Sequence, residues 1–138
     1  MTGRQVVKDQ YPHDDIRFIP HDITARLPFE DNEIDFIYCS EVVEHLISPE
    51  SIFVEFRRVL KKGGYLGITD FDVKKPMSRP YRHSEGMRSY KMEYWRPFDG
   101  SPHYSLVEKT AFSYAGKNFH PDAQERLSSV VLYKEKNR

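Results

Sequence analysis

From Ile34 to Ser40, apolar and aromatic residues occur on both faces of a predicted strand. This pattern predicts a strand that helices cover on both faces. Apolar positions then recur at helical spacing between Ser48 and Lys62, and a second apolar strand is predicted from Tyr65 to Thr69. A strand, a helix and a strand in this order predict a right-handed crossover between parallel strands. The helical stripe consists of Ile52, Phe53, Phe56, Val59 and Leu60.

Residues typical of helix ends flank the predicted helix. Ser48 can cap the free amide groups at its start, and Pro49 fits the first turn because its missing N–H has no partner there. Gly63 can take the left-handed conformation that ends a helix. Glu41 and Asp70 follow the two strands, so we expect them to face one crevice at the carboxyl edge of the sheet.

Three further segments complete the predicted fold. The segment Ile16–Ile19 predicts a short strand that Pro20 stops. Ser105 and Glu108 have capping-box spacing and predict a helix over residues 105–115. Leu127 to Lys134 predicts a closing strand with an apolar centre.

Composition narrows the class of protein. The chain has 138 residues, enough for one core, and its 21 basic and 21 acidic residues give no net charge that would attract nucleic acid or an anionic membrane. It contains no apolar run of about 18 residues and no pattern typical of a secretory signal. A single cysteine, Cys39, excludes a disulfide within the chain. We expect a cytoplasmic domain with no membrane or nucleic-acid partner and an inert, buried Cys39.

Five short motifs in order resemble the second half of a class I S-adenosylmethionine-dependent methyltransferase, of the small-molecule type called type 11. The resemblance covers about residues 17–72 and implies an α/β, Rossmann-like doubly wound sheet that transfers a methyl group to a small-molecule acceptor. An unrelated doubly wound α/β domain is the alternative. The motifs are Asp22-Ile23, Leu27-Pro28-Phe29, Ile34-Asp35-Phe36, Glu41-Val42-Val43-Glu44-His45 and Arg58-Val59-Leu60-Lys61-Lys62-Gly63-Gly64.

The resemblance implies roles for several residues near the cofactor. Asp22 would accept a hydrogen bond from the adenine amino group, the Ile23 N–H would meet the ring, and Glu41 would line the cofactor crevice. Alternatively, Asp22 only caps the following turn. If the acceptor is a hydroxyl, His45 and His103 are the candidate catalytic bases by residue type.

A metal site is a second interpretation of the motif at residues 41–45. Glu41, Glu44 and His45 would share a face of a helical turn. The motif resembles the divalent-metal motif of ubiquinone-pathway O-methyltransferases and of small-RNA 2′-O-methyltransferases, which implies an ion such as Mg²⁺ with His103 as a further ligand. Alternatively, Glu41 only lines the cofactor crevice, and His45 packs near the substrate or caps the turn.

The glycine-rich cofactor loop of the resembled family has no counterpart here, since Gly3 is the only glycine in the first 62 residues. The resemblance therefore implies a fold truncated at the N-terminus, without the first strand, first helix and second strand. Those strands would lie between Ile16–Ile19 and Ile34–Ser40 in the family order, so Ile34–Ser40 would become an exposed edge.

This truncation leaves several expectations open. The chain is a fragment of a larger enzyme, a truncated remnant, or half of an assembly that a second copy or a partner chain completes. A non-catalytic interaction module is the alternative function. We expect one partial domain, with core strands and helix in 16–72, a substrate-side insertion or lid in 73–104, and a closing helix and strands in 105–138. The insertion interleaves basic and aromatic residues, which suit an anionic or aromatic acceptor. Alternatively, it is a surface lid whose charged side chains lay their apolar stems on the protein, or a surface that stacks and binds RNA.

Overall fold

The computed structural model of this chain describes residues 10, 15–71, 73, 76–82, 84–115, 118–121 and 127–136. These residues form a five-stranded sheet and a separate hairpin. The strands are β1 (Ile34–Ser40), β2 (Leu60–Phe71), β3 (Met77–Pro80), β4 (Arg88–Lys91), β5 (Tyr104–Ala115), β6 (Asn118–Pro121) and β7 (Leu127–Lys134). The sheet has the order β1-β2-β7-β5-β6, and β3 pairs with β4 in the hairpin.

Strands β1 and β2 are parallel, as the sequence predicts. A 3-10 helix (Val43–His45) and the helix α1 (Glu50–Val59) connect them. The helix is shorter than the predicted range of 48–62, and the residue that precedes it is Pro49, without a side-chain cap. The Ser48 hydroxyl instead donates to the Glu50 carboxylate at 2.6 Å. The capping role predicted for Ser48 is therefore wrong, while the α/β crossover is confirmed.

The end of α1 also differs from the prediction. Leu60 is already extended, with φ −71° and ψ 131°, because it pairs with Ile34 of β1. Gly63 has the predicted positive φ, 85°. It lies inside β2, however, opposite the register shift between Ile34 and Phe36, and does not end the helix. The pairing with β1 therefore decides where the helix stops.

The core lies between α1 and one face of the sheet. Ile52, Phe53 and Phe56 of α1 belong to the same buried cluster as residues of β2 and β7. Each large apolar side chain that is fully buried contributes about 1.5–3 kcal/mol. The sheet residues of this cluster include Leu66, Ile68, Val130 and Leu132.

The described residues place a helix on one face of β1 and leave side chains on its other face exposed, whereas the sequence predicts helices on both faces. Cys39 is buried, and burial raises the pKa of its thiol to about 12, as expected for an inert cysteine. Phe36 and Tyr38, in contrast, are 56% and 61% exposed. Strand β1 is also the edge of the sheet that the described residues form, as expected for this segment.

Two predicted elements are wrong. Residues 105–115 form strand β5 instead of a helix, paired with β7 on one side and β6 on the other. The β-branched and aromatic residues of this segment favour a strand, and the apolar strand β7 supplies its partner. The segment 16–19 is not a strand, and Ile16 and Phe18 are about half exposed, 42% and 46%, without a strand to pair with.

Segment 27–31 is held against α1 by one guanidinium. Arg58 donates to the carbonyl oxygens of Leu27 (3.1 Å) and Phe29 (2.8 Å) and to the Glu55 carboxylate (2.8 Å). The Leu27 N–H donates to the same carboxylate at 2.8 Å. Hydrogen bonds from Arg58 lower the pKa of Glu55 to about 2. None of the described helices is long and apolar enough to cross a membrane.

We expect Arg58→Lys to lower the Tm by several degrees, because an ammonium cannot match the fork of donors that joins two carbonyl oxygens and a carboxylate. Thermal unfolding followed by circular dichroism measures the change. Arg57→Lys is the control, since the Arg57 side chain is exposed and makes no ion pair among the described residues. Equal Tm values for the two variants would contradict the proposal that Arg58 holds segment 27–31 against α1.

Candidate functional site

The carboxyl ends of β1 and β2 meet, as the crossover predicts. Glu41, directly after β1, has a positive φ of 54°, and its N–H donates to the Thr69 carbonyl of β2 at 2.8 Å. Asp70 lies buried in β2, and its carboxylate accepts hydrogen bonds from the N–H groups of Glu44 (3.1 Å) and Phe71 (2.7 Å). The Asp70 carboxylate therefore joins the 3-10 helix to the end of β2.

The environment of Asp70 favours its neutral form. Burial raises the pKa of this carboxyl from 3.8 to about 6, and the charge of Glu44 acts in the same direction. The two backbone hydrogen bonds oppose this shift because they stabilise the ionised form. Asp70 therefore changes charge close to neutral pH.

Glu44 and His45 form a pair beside Asp70. His45 Nδ1 lies 3.1 Å from the Arg88 carbonyl oxygen, so Nδ1 carries the proton, because a carbonyl can only accept. His45 Nε2 then faces Glu44 Oε1 at 3.6 Å. The other carboxylate oxygen, Glu44 Oε2, is buried and has no hydrogen-bond partner among the described residues. A buried acceptor in this state costs free energy until a donor reaches it.

A polar cavity of about 460 Å³ lies at this edge of the sheet. The hairpin β3–β4 forms one of its walls, and the Tyr81 ring meets the His45 ring edge-on at 4.5 Å between centroids. His45 therefore fixes the hairpin through both its ring and its bond to Arg88. The described residues that line the cavity are Glu41, Glu44, Phe71, Arg79, Pro80, Tyr81, Arg82 and Ser89.

The structure does not bring Glu41, Glu44 and His45 together as metal ligands. No group of three histidine, cysteine, aspartate or glutamate side chains within the described residues could hold a metal ion. The prediction assumed one helical face, but Glu41 is left-handed and the 3-10 helix starts only at Val43. The convergent arrangement expected for Mg²⁺ is therefore not found at these three residues, and metal binding stays a prediction.

Asp22 and Ile23 occupy a turn. Asp22 Oδ1 accepts hydrogen bonds from the N–H (2.9 Å) and the hydroxyl (2.7 Å) of Thr24, and the bond from the hydroxyl contributes most to a lowered pKa of Asp22. Ile23 is half-buried and packs against the core. The turn-capping alternative for Asp22 is observed, and its contact with adenine stays a prediction.

His103 lies at the other end of the sheet. Its carbonyl accepts a hydrogen bond from the Glu135 N–H at 3.0 Å, beyond the carboxyl end of β7, which runs antiparallel to β2. Its side chain lines a separate cavity of about 210 Å³ beside α1, together with Arg57 and Tyr104. The structure therefore does not bring His103 close to Glu41 or His45.

The individual cavity residues from the hairpin were not predicted. Arg79, Tyr81, Arg82 and Ser89 belong to the basic and aromatic stretch that the sequence marks as substrate-side. That composition identified the segment but gave no reason to choose these members, because the pairing of β3 with β4 decides which of them face Glu44.

We expect the unfolding free energies of the wild type and Asp70→Asn to diverge below pH 6. The folded protein binds this proton more tightly than the unfolded chain, so the stability that Asp70 adds is full below pH 3.8 and is lost as the pH rises through about 6. Wild type should gain about 1 kcal/mol relative to the variant between pH 7.5 and pH 5. Urea unfolding at both pH values measures the gain. Asp35→Asn, at an exposed position, is the control and should show the same pH dependence of the unfolding free energy as the wild type. Parallel pH profiles for wild type and Asp70→Asn would contradict the raised pKa of Asp70.

Residues 2–68 match the model of a methyltransferase domain family, type 11. A sterol 24-C-methyltransferase of Gibberella zeae is 38% identical over 58 residues, which cover 42% of this chain and 15% of that protein. This chain therefore spans a small part of that relative.

Solved structures share the fold. A Burkholderia thailandensis 1,6-didemethyltoxoflavin-N1-methyltransferase, with bound 1,6-didemethyltoxoflavin and S-adenosylhomocysteine, has a TM-score of 0.67 and 14% identity, covering 98% of this chain and 58% of that one. A putative methyltransferase of Haloferax volcanii, in complex with the Trm112 methyltransferase activator, has a TM-score of 0.66 and 18% identity, covering 95% and 67%. Residues 2–68 of this chain therefore match the methyltransferase domain family of type 11, and the sheet has the fold of the solved methyltransferases.

Proposed function

We propose that this chain transfers a methyl group from S-adenosylmethionine to a small-molecule acceptor at the polar cavity. The observation that carries the proposal is Glu44 Oε2, a buried acceptor atom without a partner among the described residues, on a residue that lines this cavity. Doubly wound α/β sheets bind their ligands at the carboxyl ends of the strands, where this cavity lies.

The residues around the cavity suit part of the cofactor. Glu41 lines it, and a carboxylate suits a group that carries a sulfonium and an ammonium. When bound, S-adenosylmethionine supplies an activated methyl group, so the protein needs mainly to align the acceptor and exclude water. Asp22 and Ile23 would meet the adenine ring.

Glu44 is the base in this proposal, and His45 is a positioning residue. Glu44 Oε2 accepts the proton that an acceptor hydroxyl or amine releases. His45 Nε2 lies 3.6 Å from Oε1, and Nδ1 lies 3.1 Å from the Arg88 carbonyl oxygen, so His45 holds its place between Glu44 and the hairpin. This arrangement differs from the prediction of His45 as the base, because Glu44, and not His45, is among the described residues that line the cavity.

We expect the chain to bind S-adenosylhomocysteine in a calorimetric titration and Asp22→Ala to bind it about tenfold more weakly or worse, through the loss of a hydrogen bond to a carboxylate. Thr24→Val is the matched control, since it removes the hydroxyl bond of the turn and keeps the carboxylate. No binding by the wild type would contradict the proposed function. Equal losses in the two variants would contradict only the adenine role.

A non-catalytic interaction module is the second candidate, and the bare edge of the sheet favours it. Strand β1 has no neighbour on its outer side among the described strands, and an unpaired edge can add a strand from another chain. Phe36, Tyr38 and Tyr65 are exposed beside this edge. The occupant we propose is a second copy of this chain.

We expect the chain to self-associate with rising concentration and Tyr38→Lys to weaken the association at least about tenfold, because a lysine on an edge strand opposes pairing. Analytical ultracentrifugation measures the dissociation constant. Val54→Lys is the control, since Val54 is equally exposed, 60% against 61%, but lies on α1 at the other side of the sheet. A monomeric wild type at all concentrations would exclude this candidate.

A further inference from the structure

We propose that the methyl acceptor is an anionic molecule, which carries a carboxylate or phosphate held by Arg79 and Arg82 and a hydroxyl or amine that donates to Glu44. This inference rests on the proposed function and names the acceptor class of the same cavity. It follows from three observations on the cavity lining: a buried acceptor atom, two guanidinium groups and two aromatic side chains.

The first observation fixes the donor on the ligand. The Glu44 side chain is only 4% exposed, and its Oε2 has no protein partner among the described residues. The other oxygen, Oε1, faces His45 at 3.6 Å. A ligand that brings a hydroxyl or an amine to Oε2 would complete the hydrogen bonding of the buried carboxylate, whereas an ether or ester oxygen would leave it unsatisfied.

The second observation fixes the charge on the ligand. Arg79 is the third residue of β3, Arg82 lies in the turn that follows, and both line the cavity. Neither makes a salt bridge within the part of the chain that the structure describes. Guanidinium groups bind carboxylates and phosphates through paired hydrogen bonds, so two of them on one wall suit an anion.

The third observation limits the size of the ligand and indicates the kind of group it carries between its polar ends. Phe71 and Tyr81, both half-buried, line the same cavity as the charged groups. The volume of about 460 Å³ suits a small molecule. His45 contacts the Tyr81 ring and the Arg88 carbonyl. These contacts hold the hairpin, and with it Arg79 and Arg82, in place relative to Glu44. An acceptor with a small ring between a donor and an anion fits this lining.

Calorimetric titration of the full 138-residue chain with 4-hydroxybenzoate, and with its uncharged methyl ester, tests the inference. We expect the acid to bind at least about tenfold more tightly than the ester, because a charged carboxylate accepts stronger hydrogen bonds from guanidinium groups than a neutral ester does. Arg79→Gln combined with Arg82→Gln should abolish this preference. Arg17→Gln, at an exposed position outside the lining, is the matched control and should keep it.

The donor side is tested separately. Glu44→Gln should weaken the acid and the ester alike, because both carry the hydroxyl, and should leave the preference for the acid intact. Unchanged affinity of Glu44→Gln for both probes, or a loss of its preference for the acid, would overturn the role of Glu44.

The remaining outcomes separate this inference from the proposed function. Equal affinity for acid and ester, or a preference that survives in the double arginine variant, overturns the inference even if S-adenosylhomocysteine binds. A double variant that loses S-adenosylhomocysteine and keeps the probe would mean that the arginines hold the carboxylate of the cofactor, which also overturns it. A chain that binds the acid through the arginines but not S-adenosylhomocysteine overturns methyl transfer and keeps the anion site.

Discussion

The packing of α1 against β1 and β2 is the constraint on which the candidate site depends. Ile52, Phe53 and Phe56 give the helix one apolar face, and burial of that face on the sheet requires the chain to cross over and return in parallel. Two parallel strands necessarily end at one edge. Glu41 and Asp70 meet there for that reason, although 28 residues separate them in the sequence.

The polar contacts at that edge convert the crossover into a chemical site. Asp70 accepts from the backbone of Glu44 and so fixes the 3-10 helix, while the ring of His45 fixes the hairpin above it. Burial of these groups has two effects. It raises the pKa of Asp70 toward neutrality, and it leaves Glu44 Oε2 without a hydrogen-bond partner among the described residues. A buried carboxylate in such a position is typical of a binding site.

The same sheet has a second, incomplete side. Phe36 and Tyr38 face away from α1, and Tyr38 lies against Gly67, where a Cβ atom would come within 3.2 Å of the ring. Strand β1 has no outer partner among the described strands. The methyltransferase of B. thailandensis, of which this chain covers 58%, contains further residues beyond the shared fold. An exposed apolar face beside an open edge is the kind of surface that a further protein segment covers.

The sequence by itself determined the crossover, the resemblance to the family and the edge of the sheet at which Glu41 and Asp70 meet, because these follow from local patterns: the stripe of α1, the apolar runs of β1 and β2, and the motif at 41–45. It failed where partners distant in the sequence decide the outcome. Residues 105–115 became a strand because β7 pairs with them, and α1 ended at Val59 because Leu60 pairs with Ile34. The assignment of Glu44 to the cavity, and of His45 to a place behind it, depended on Asp70, Arg88 and Tyr81. Such contacts between distant segments are fixed only by tertiary packing, which sequence spacing does not encode.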